Sequence, residues 1–168
     1  MDHPQKEALM SSKPRHRVFV VYDLERKRED ITRRLSLEED MVVVGTTKSM
    51  DEALWKIKLT QPDIVVFHLA FEEQLGLDIL RMVVNKAGEL PVLVLSLYDD
   101  VYTLAKALQF GVRGFVSRQA GEAEIPRAIR RILDGDFYVN INLQQGLLER
   151  VRASLMSLKG AIRADTSH

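Results

Sequence analysis

A chain of 168 residues can form one domain with a real core and one extra element. Its 24 basic residues balance 24 acidic ones, which gives no general drive toward nucleic acid or an anionic membrane. The absence of cysteine excludes disulfides, thiolate metal sites and thiol catalysis, and fits a reducing compartment.

The opening stretch "MDHPQKEALMSSKPRHR" lacks an apolar core, so it does not read as a secretory signal. With Pro4, Ser11, Ser12 and Pro14 it reads as a loose tail over residues 1–14. No apolar run approaches the length of a membrane span, and a cytoplasmic protein is expected.

From Arg17 onward strand and helix patterns alternate. "RVFVVY" (17–22) is a short β-branched apolar run, the mark of a buried strand. "ERKREDITRRLSL" sets Ile31 and Leu35 at helical spacing among charges, a surface helix. "MVVVG" (41–45) is the second strand. "SMDEALWKIKL" puts Ala53, Leu54, Ile57 and Leu59 on a helical stripe, with Ser49 and Glu52 at capping-box spacing. "DIVVFHL" (63–69) is the third strand and "GLDILRMVV" the third helix. "PVLVLS" (91–96) opens with Pro91, tolerated at the start of a strand. "DDVYTLAKALQFG" is a helix with Asp99 at its start and Gly111 as its C-cap. "GFVS" (114–117) is the fifth strand. "EAEIPRAIRRILDG" is the fifth helix, which must hold Pro126 in its first turn, with Gly135 near its end.

The last stretch carries Leu143, Leu147, Val151, Leu155, Leu158 and Ile162 at spacings of 4, 4, 4, 3 and 4. That is one apolar stripe on an amphipathic helix over residues 141–164, although Gly146 and Gly160 weaken it. It can pack back on its own domain, lead to a further domain, or pair across a homodimer. Leu147, Val151, Leu155, Leu158 and Ile162 would form the dimer seam, and a homodimer is the expected state.

Five strand–helix units imply an α/β fold, a parallel sheet with helices on both faces, over residues 15–140. Such sheets bind ligands beyond the carboxyl ends of their strands. Chemistry is therefore expected at Tyr22 and Asp23, His68 and Ala70, Ser96 and Leu97, and Ser117 and Arg118.

The ordered segments "VVYDLERKREDITRRL", "VVGTTKSMDEAL", "PDIVVFHLAFEEQLGLDIL", "LPVLVLSLYDD", "ALQFGVRGFVSR" and "AIRRILDGDFYV" carry a resemblance across residues 16–140. Together they resemble the receiver domain of bacterial response regulators of the LuxR/FixJ type. The resemblance implies a flavodoxin-like, doubly wound (βα)5 fold with strand order 2-1-3-4-5. It also implies phosphoryl transfer onto an aspartate at the end of the third strand, giving an acyl phosphate. Two acids after the first strand help hold Mg²⁺, an ion of hard oxygen ligands. A Ser or Thr after the fourth strand and a Lys after the fifth contact the phosphoryl oxygens, and an aromatic near the fifth strand reports the event.

Carried over to this chain, the acid pair becomes Tyr22 and Asp23, and the acceptor becomes His68. Ser96 is retained, the lysine becomes Arg118, and the reporting aromatic is Phe115. The proline-glycine loop becomes Phe71, Glu72, Glu73 and Gln74, with Gly76 kept. A neutral imidazole is a poor Mg²⁺ ligand. The nucleophile is absent, so aspartyl phosphorylation is not expected. His68 reads best as a packed ring hydrogen-bonded to Asp23 or to backbone. The rival readings are a pH or ligand sensor, a transition-metal ligand with Asp23 and Glu72 or Glu73, and a phosphorylated histidine.

Arg118 is expected to pair with Asp23, Glu72 or Glu73, Ser96 to cap its strand end, and Phe115 to be buried. Asp99 and Asp100 read as helix-start residues. Arg127, Arg130 and Arg131 read as the solvated side of the fifth helix. The resemblance makes that helix, with Tyr102 and Lys106, a partner surface. No DNA-reading helix pair follows residue 140, so this chain alone is not expected to bind DNA. The resulting expectation is a stand-alone, non-enzymatic interaction module without cofactor or metal, independent of phosphorylation, in bacterial signalling or transcription regulation. Its rivals are a sensor of a ligand, anion or metal in the former phosphorylation pocket, and the receiver part of a DNA-binding regulator.

Overall fold

The computed structural model describes residues 15–22, 25–69, 73–141, 153, 156 and 157, the side chains of 73 and 74 excepted. Six strands form one parallel sheet in the order β2-β1-β3-β4-β5-β6. They are β1 (His16–Val21), β2 (Met41–Thr47), β3 (Ile64–Leu69), β4 (Val92–Ser96), β5 (Gly114–Ser117) and β6 (Tyr138–Asn140). The helices are α1 (Glu25–Ser36), α2 (Met50–Thr60), α3 (Glu73–Ala87), α4 (Val101–Phe110) and α5 (Glu124–Leu133). A 3₁₀ turn, Arg118–Ala120, follows β5.

Strand alternation explains the two-sided core, because successive side chains point to opposite faces. Phe19, Val21, Val65, Phe67, Val94 and Phe115 face one side, where Ala53, Leu77, Leu80, Val83 and Leu104 of α2, α3 and α4 cover them. Val18, Val20, Ile64, Val66, Leu93, Leu95 and Val116 face the other, under Ile31, Leu35, Ile125, Ile129 and Ile132 of α1 and α5. With both faces covered, all six residues of β3 are buried, which is why it reads as a continuous apolar run.

The sixth strand adds to the expected order. Tyr138, Val139 and Asn140 pair with Gly114, Phe115 and Val116. Tyr138 Oη and Asn140 Nδ2 both donate to Glu124, which fixes this short strand to the start of α5. Gly114 makes room for the packing there: a Cβ on it would lie 2.5 Å from Ile132 Cδ1 and 2.8 Å from Leu93 Cδ1. Gly45 serves likewise on β2, where a Cβ would meet Phe19 Cε2 at 2.7 Å beside a register shift in the β1–β2 ladder.

Several local expectations need correction. Leu59 is 74% exposed, two residues past the core-packed Ile57 and so turned away from it. Ser49 makes no side-chain cap. Thr47 Oγ1 accepts from Ser49 N at 3.1 Å and donates to Glu52 at 3.2 Å, taking the capping role from the strand side. Asp100, not Asp99, caps α4 through Thr103 N at 2.8 Å, and Gly111 ends it at φ 103°. Glu73 and Gln74 lie in α3 rather than in a loop. Pro126 falls in the first turn of α5, where its missing N–H costs no helical bond.

Candidate functional site

The carboxyl ends of β1, β3, β4 and β5 converge, and strand parity decides what they present. Val21 pairs with Phe67, so the next residues, Tyr22 and His68, come side by side on the α1/α5 face. Their rings stack with centroids 3.6 Å apart and planes 5° from parallel. Both are nearly buried, at 6% and 5% exposure. The end of the third strand is thus closed by an aromatic pair. Arg28 Nη1 donates to the Tyr22 carbonyl at 2.7 Å and holds the chain where it leaves β1.

Ser96 ends β4 and is buried, as a strand-end cap should be. Its hydroxyl donates to the Tyr98 carbonyl at 3.1 Å and accepts from Tyr98 N at 2.9 Å, which shapes the loop into α4. Ser117 ends β5 beside Ser96 in the ladder, and its hydroxyl accepts from Gln119 N at 3.1 Å, capping the 3₁₀ turn. Arg118 opens that turn and is exposed.

These residues border one cavity of about 160 Å³. Tyr22, His68, Leu95, Ser96, Val116 and Ser117 line it from the sheet, Lys27 and Ile31 from α1, Arg118, Gly121 and Glu122 from the loop after β5, and Ile125 from α5. Of the expected site residues, Tyr22, His68, Ser96 and Arg118 are therefore brought together. Phe115 is not: it is buried as expected, but on the opposite, α2–α4 face of the sheet. Asp23, Ala70, Phe71 and Glu72 lie outside the described residues, as do Leu147, Val151, Leu155, Leu158 and Ile162 of the C-terminal stripe. Among the described residues no carboxylate pairs with Arg118, and no group of three metal-ligating side chains gathers. Lys27 and Glu122 were not foreseen. Each is one charge among many in its stretch, and only the fold shows that both reach the cavity.

The basic face of α5 is not uniform. Arg127 and Arg131 are exposed, as expected, and so is Tyr102 on α4, with Lys106 Nζ 5.7 Å from its ring centroid. Arg130 departs from the expectation of a solvated residue. Its guanidinium donates to both Asp40 oxygens, at 2.8 and 2.9 Å, and to Glu38, so α5 is clamped to the turn before β2. Those hydrogen bonds hold the Asp40 and Glu38 carboxyls below the usual range, Arg34 adding to the effect on Glu38, and they hold the Arg130 proton more tightly than usual.

Residues 18–130 match the model of the response regulator receiver domain. The chain belongs to that family. It is 30% identical over 131 residues to the response regulator GacA of Pseudomonas viridiflava, a match covering 78% of this chain and 61% of the relative. It is 29% identical over 115 residues to the oxygen regulatory protein NreC of Staphylococcus haemolyticus, covering 68% and 53%. The chain thus spans little more than half the length of these curated relatives. A two-component response regulator of the LuxR family from Aurantimonas sp. SI85-9A1 superposes with a TM-score of 0.69 at 24% identity, over 83% of this chain and 97% of that one, a likeness of fold. No helix among the described residues is long and apolar enough to cross a membrane.

Proposed function

We propose that this receiver signals without aspartyl phosphorylation, as a protein-interaction module in bacterial two-component signalling or transcription regulation. One observation carries the reading. The place at the end of β3 where the resemblance puts an acceptor carboxylate holds His68, stacked on Tyr22 where it puts one of the metal-binding acids. An imidazole cannot form an acyl phosphate, and a phenol in van der Waals contact with it leaves one acid, Asp23, for a cation that asks for several oxygens. The output surface is then set by α4, β5 and α5, with exposed Tyr102, Arg127 and Arg131 and half-buried Lys106 available to a partner. A second copy of the chain, paired through the stripe from Leu147 to Ile162, is the proposed oligomeric partner. Leu155→Lys should turn a dimer to monomer in light scattering, and an unchanged mass would remove that part.

The metal half of the reading has its own test. Amide shifts around His68, Ser96 and Arg118 should give no saturable response to Mg²⁺ at millimolar concentration. A saturable response at those amides would show that the site still holds the ion and would sink the reading.

A further inference from the structure

The cavity beside His68 supports a more specific role than protein contact. Its apolar wall is Ile31, Leu95, Val116 and Ile125, with the stacked Tyr22 and His68 rings beside them. At about 160 Å³ it is close to the ~150 Å³ at which an apolar protein cavity accepts a benzene-sized body. Beside the two rings, its polar groups belong to Ser96, Ser117, Lys27, Arg118 and Glu122. Ser117 is 2% exposed, and its hydroxyl, which accepts from Gln119 N, keeps its own proton to donate. Lys27 is half-buried and Arg118 exposed, and among the described residues neither lies within ion-pair distance of a carboxylate. Glu122 is the one carboxylate among the lining residues described. Among the described lining residues, two cations stand against one anion, a balance that suits a monoanion. The planar guanidinium of Arg118 matches a carboxylate in shape as well as charge.

We propose that this cavity binds a small organic carboxylate whose apolar body is about the size of a six-membered ring, and that this acid is an input the receiver reads. Its body would lie against Ile31, Val116 and Ile125, and its carboxylate would meet Lys27, Arg118 and the Ser117 hydroxyl. Occupancy would join α1 to the start of α5, the helix that carries Arg127 and Arg131 to the surface. Only the claim of input rests on the phosphorylation-independent reading; binding does not.

Titration calorimetry on the full chain, with benzoate and cyclohexanecarboxylate as ring acids, tests it. Acetate, benzyl alcohol and inorganic phosphate serve as probes lacking the body, the charge or the carboxylate. A ring acid should bind saturably, one per chain, and acetate, benzyl alcohol and phosphate at least about tenfold more weakly. The double variant Lys27→Ala/Arg118→Ala should weaken the ring acid by about tenfold or more, while the unliganded melting temperature stays unchanged, since neither side chain is in the core. No saturable heat with either ring acid, binding indifferent to the double variant, or phosphate matching benzoate would each overturn the inference. Absence of binding together with absence of a phosphoryl adduct would overturn this inference and leave the interaction reading standing. Ring-acid binding together with a phosphoryl adduct would overturn the interaction reading and the claim of input, and leave the binding standing.

Discussion

The two ends of the sheet use similar side chains for different ends. At the amino end, polar groups are matched within the protein. Arg130 clamps Asp40 and Glu38, and Arg17 donates to the Thr60 carbonyl at 2.6 Å while its N–H meets Asp63 at 2.8 Å. At the carboxyl end, Lys27 and Arg118 border a cavity with no carboxylate in ion-pair reach among the described residues, beside buried hydroxyls. A cation matched by fixed acids is part of the scaffold. A cation set beside an apolar cavity without such a match is open to something from outside. Charge type alone does not separate the two, and the partner inventory does.

The contrast can be broken by mutation, and the largest effect is expected at the ring stack. Tyr22→Ala removes a nearly buried ring and should cost about 3 kcal/mol in denaturant unfolding; a loss under about 1 kcal/mol would mean that the stack is not part of the core. His68→Asp should also destabilise, by about 2 kcal/mol, because a carboxylate would be buried against the Tyr22 ring. Burial disfavours the charged carboxylate, so that penalty should grow as pH rises. His68→Phe keeps a ring of similar volume and should cost less than about 1.5 kcal/mol. If Phe proves worse than Asp, His68 holds its place by polarity and not by shape.

Arg130→Ala should follow with about 1 kcal/mol at neutral pH, a modest figure because the clamp is 40% exposed on the arginine side and screened by solvent. The sign of its pH dependence follows from depressed carboxyls. Asp40 and Glu38 titrate below their unfolded values in the fold, so their stabilisation is present above about pH 4 and is lost as pH falls through the folded values. The gap between wild type and Arg130→Ala in urea midpoint should therefore close in acid. A gap constant with pH would show that the clamp acts by packing alone. Arg118→Ala, at the other end, should change stability by less than about 0.5 kcal/mol. A cost as large as that of Arg130→Ala would mean that Arg118 is scaffold too, and the contrast between the ends would fail.

Much of this was legible in the residues. Five strands were marked by β-branched apolar runs, but only the register that sets Val21 beside Phe67 puts Tyr22 and His68 on one face. The sixth strand was not, because three residues, Tyr138, Val139 and Asn140, are too few for a period to show, and their placement depends on Glu124 fourteen or more residues earlier. Arg130 looked like its neighbours Arg127 and Arg131, since a sequence shows a helix face but not the acids brought to it from residues 38 and 40. Phe115 was placed by family position beside the site, whereas its parity in β5 sends it to the other face from Val116. The cavity itself was beyond reach, because its lining comes from three strands, the residue after β1, two helices and the loop after β5.

The central claim is that the third strand ends in a ring pair and not in a phosphoryl acceptor. Intact-mass spectrometry at neutral pH, after incubation with acetyl phosphate or phosphoramidate and Mg²⁺, tests it most directly. The chain should keep its unmodified mass, with a receiver that carries the acceptor aspartate labelled in the same buffer as control. A stoichiometric gain of one phosphoryl group, lost in the His68→Phe variant, would contradict the account.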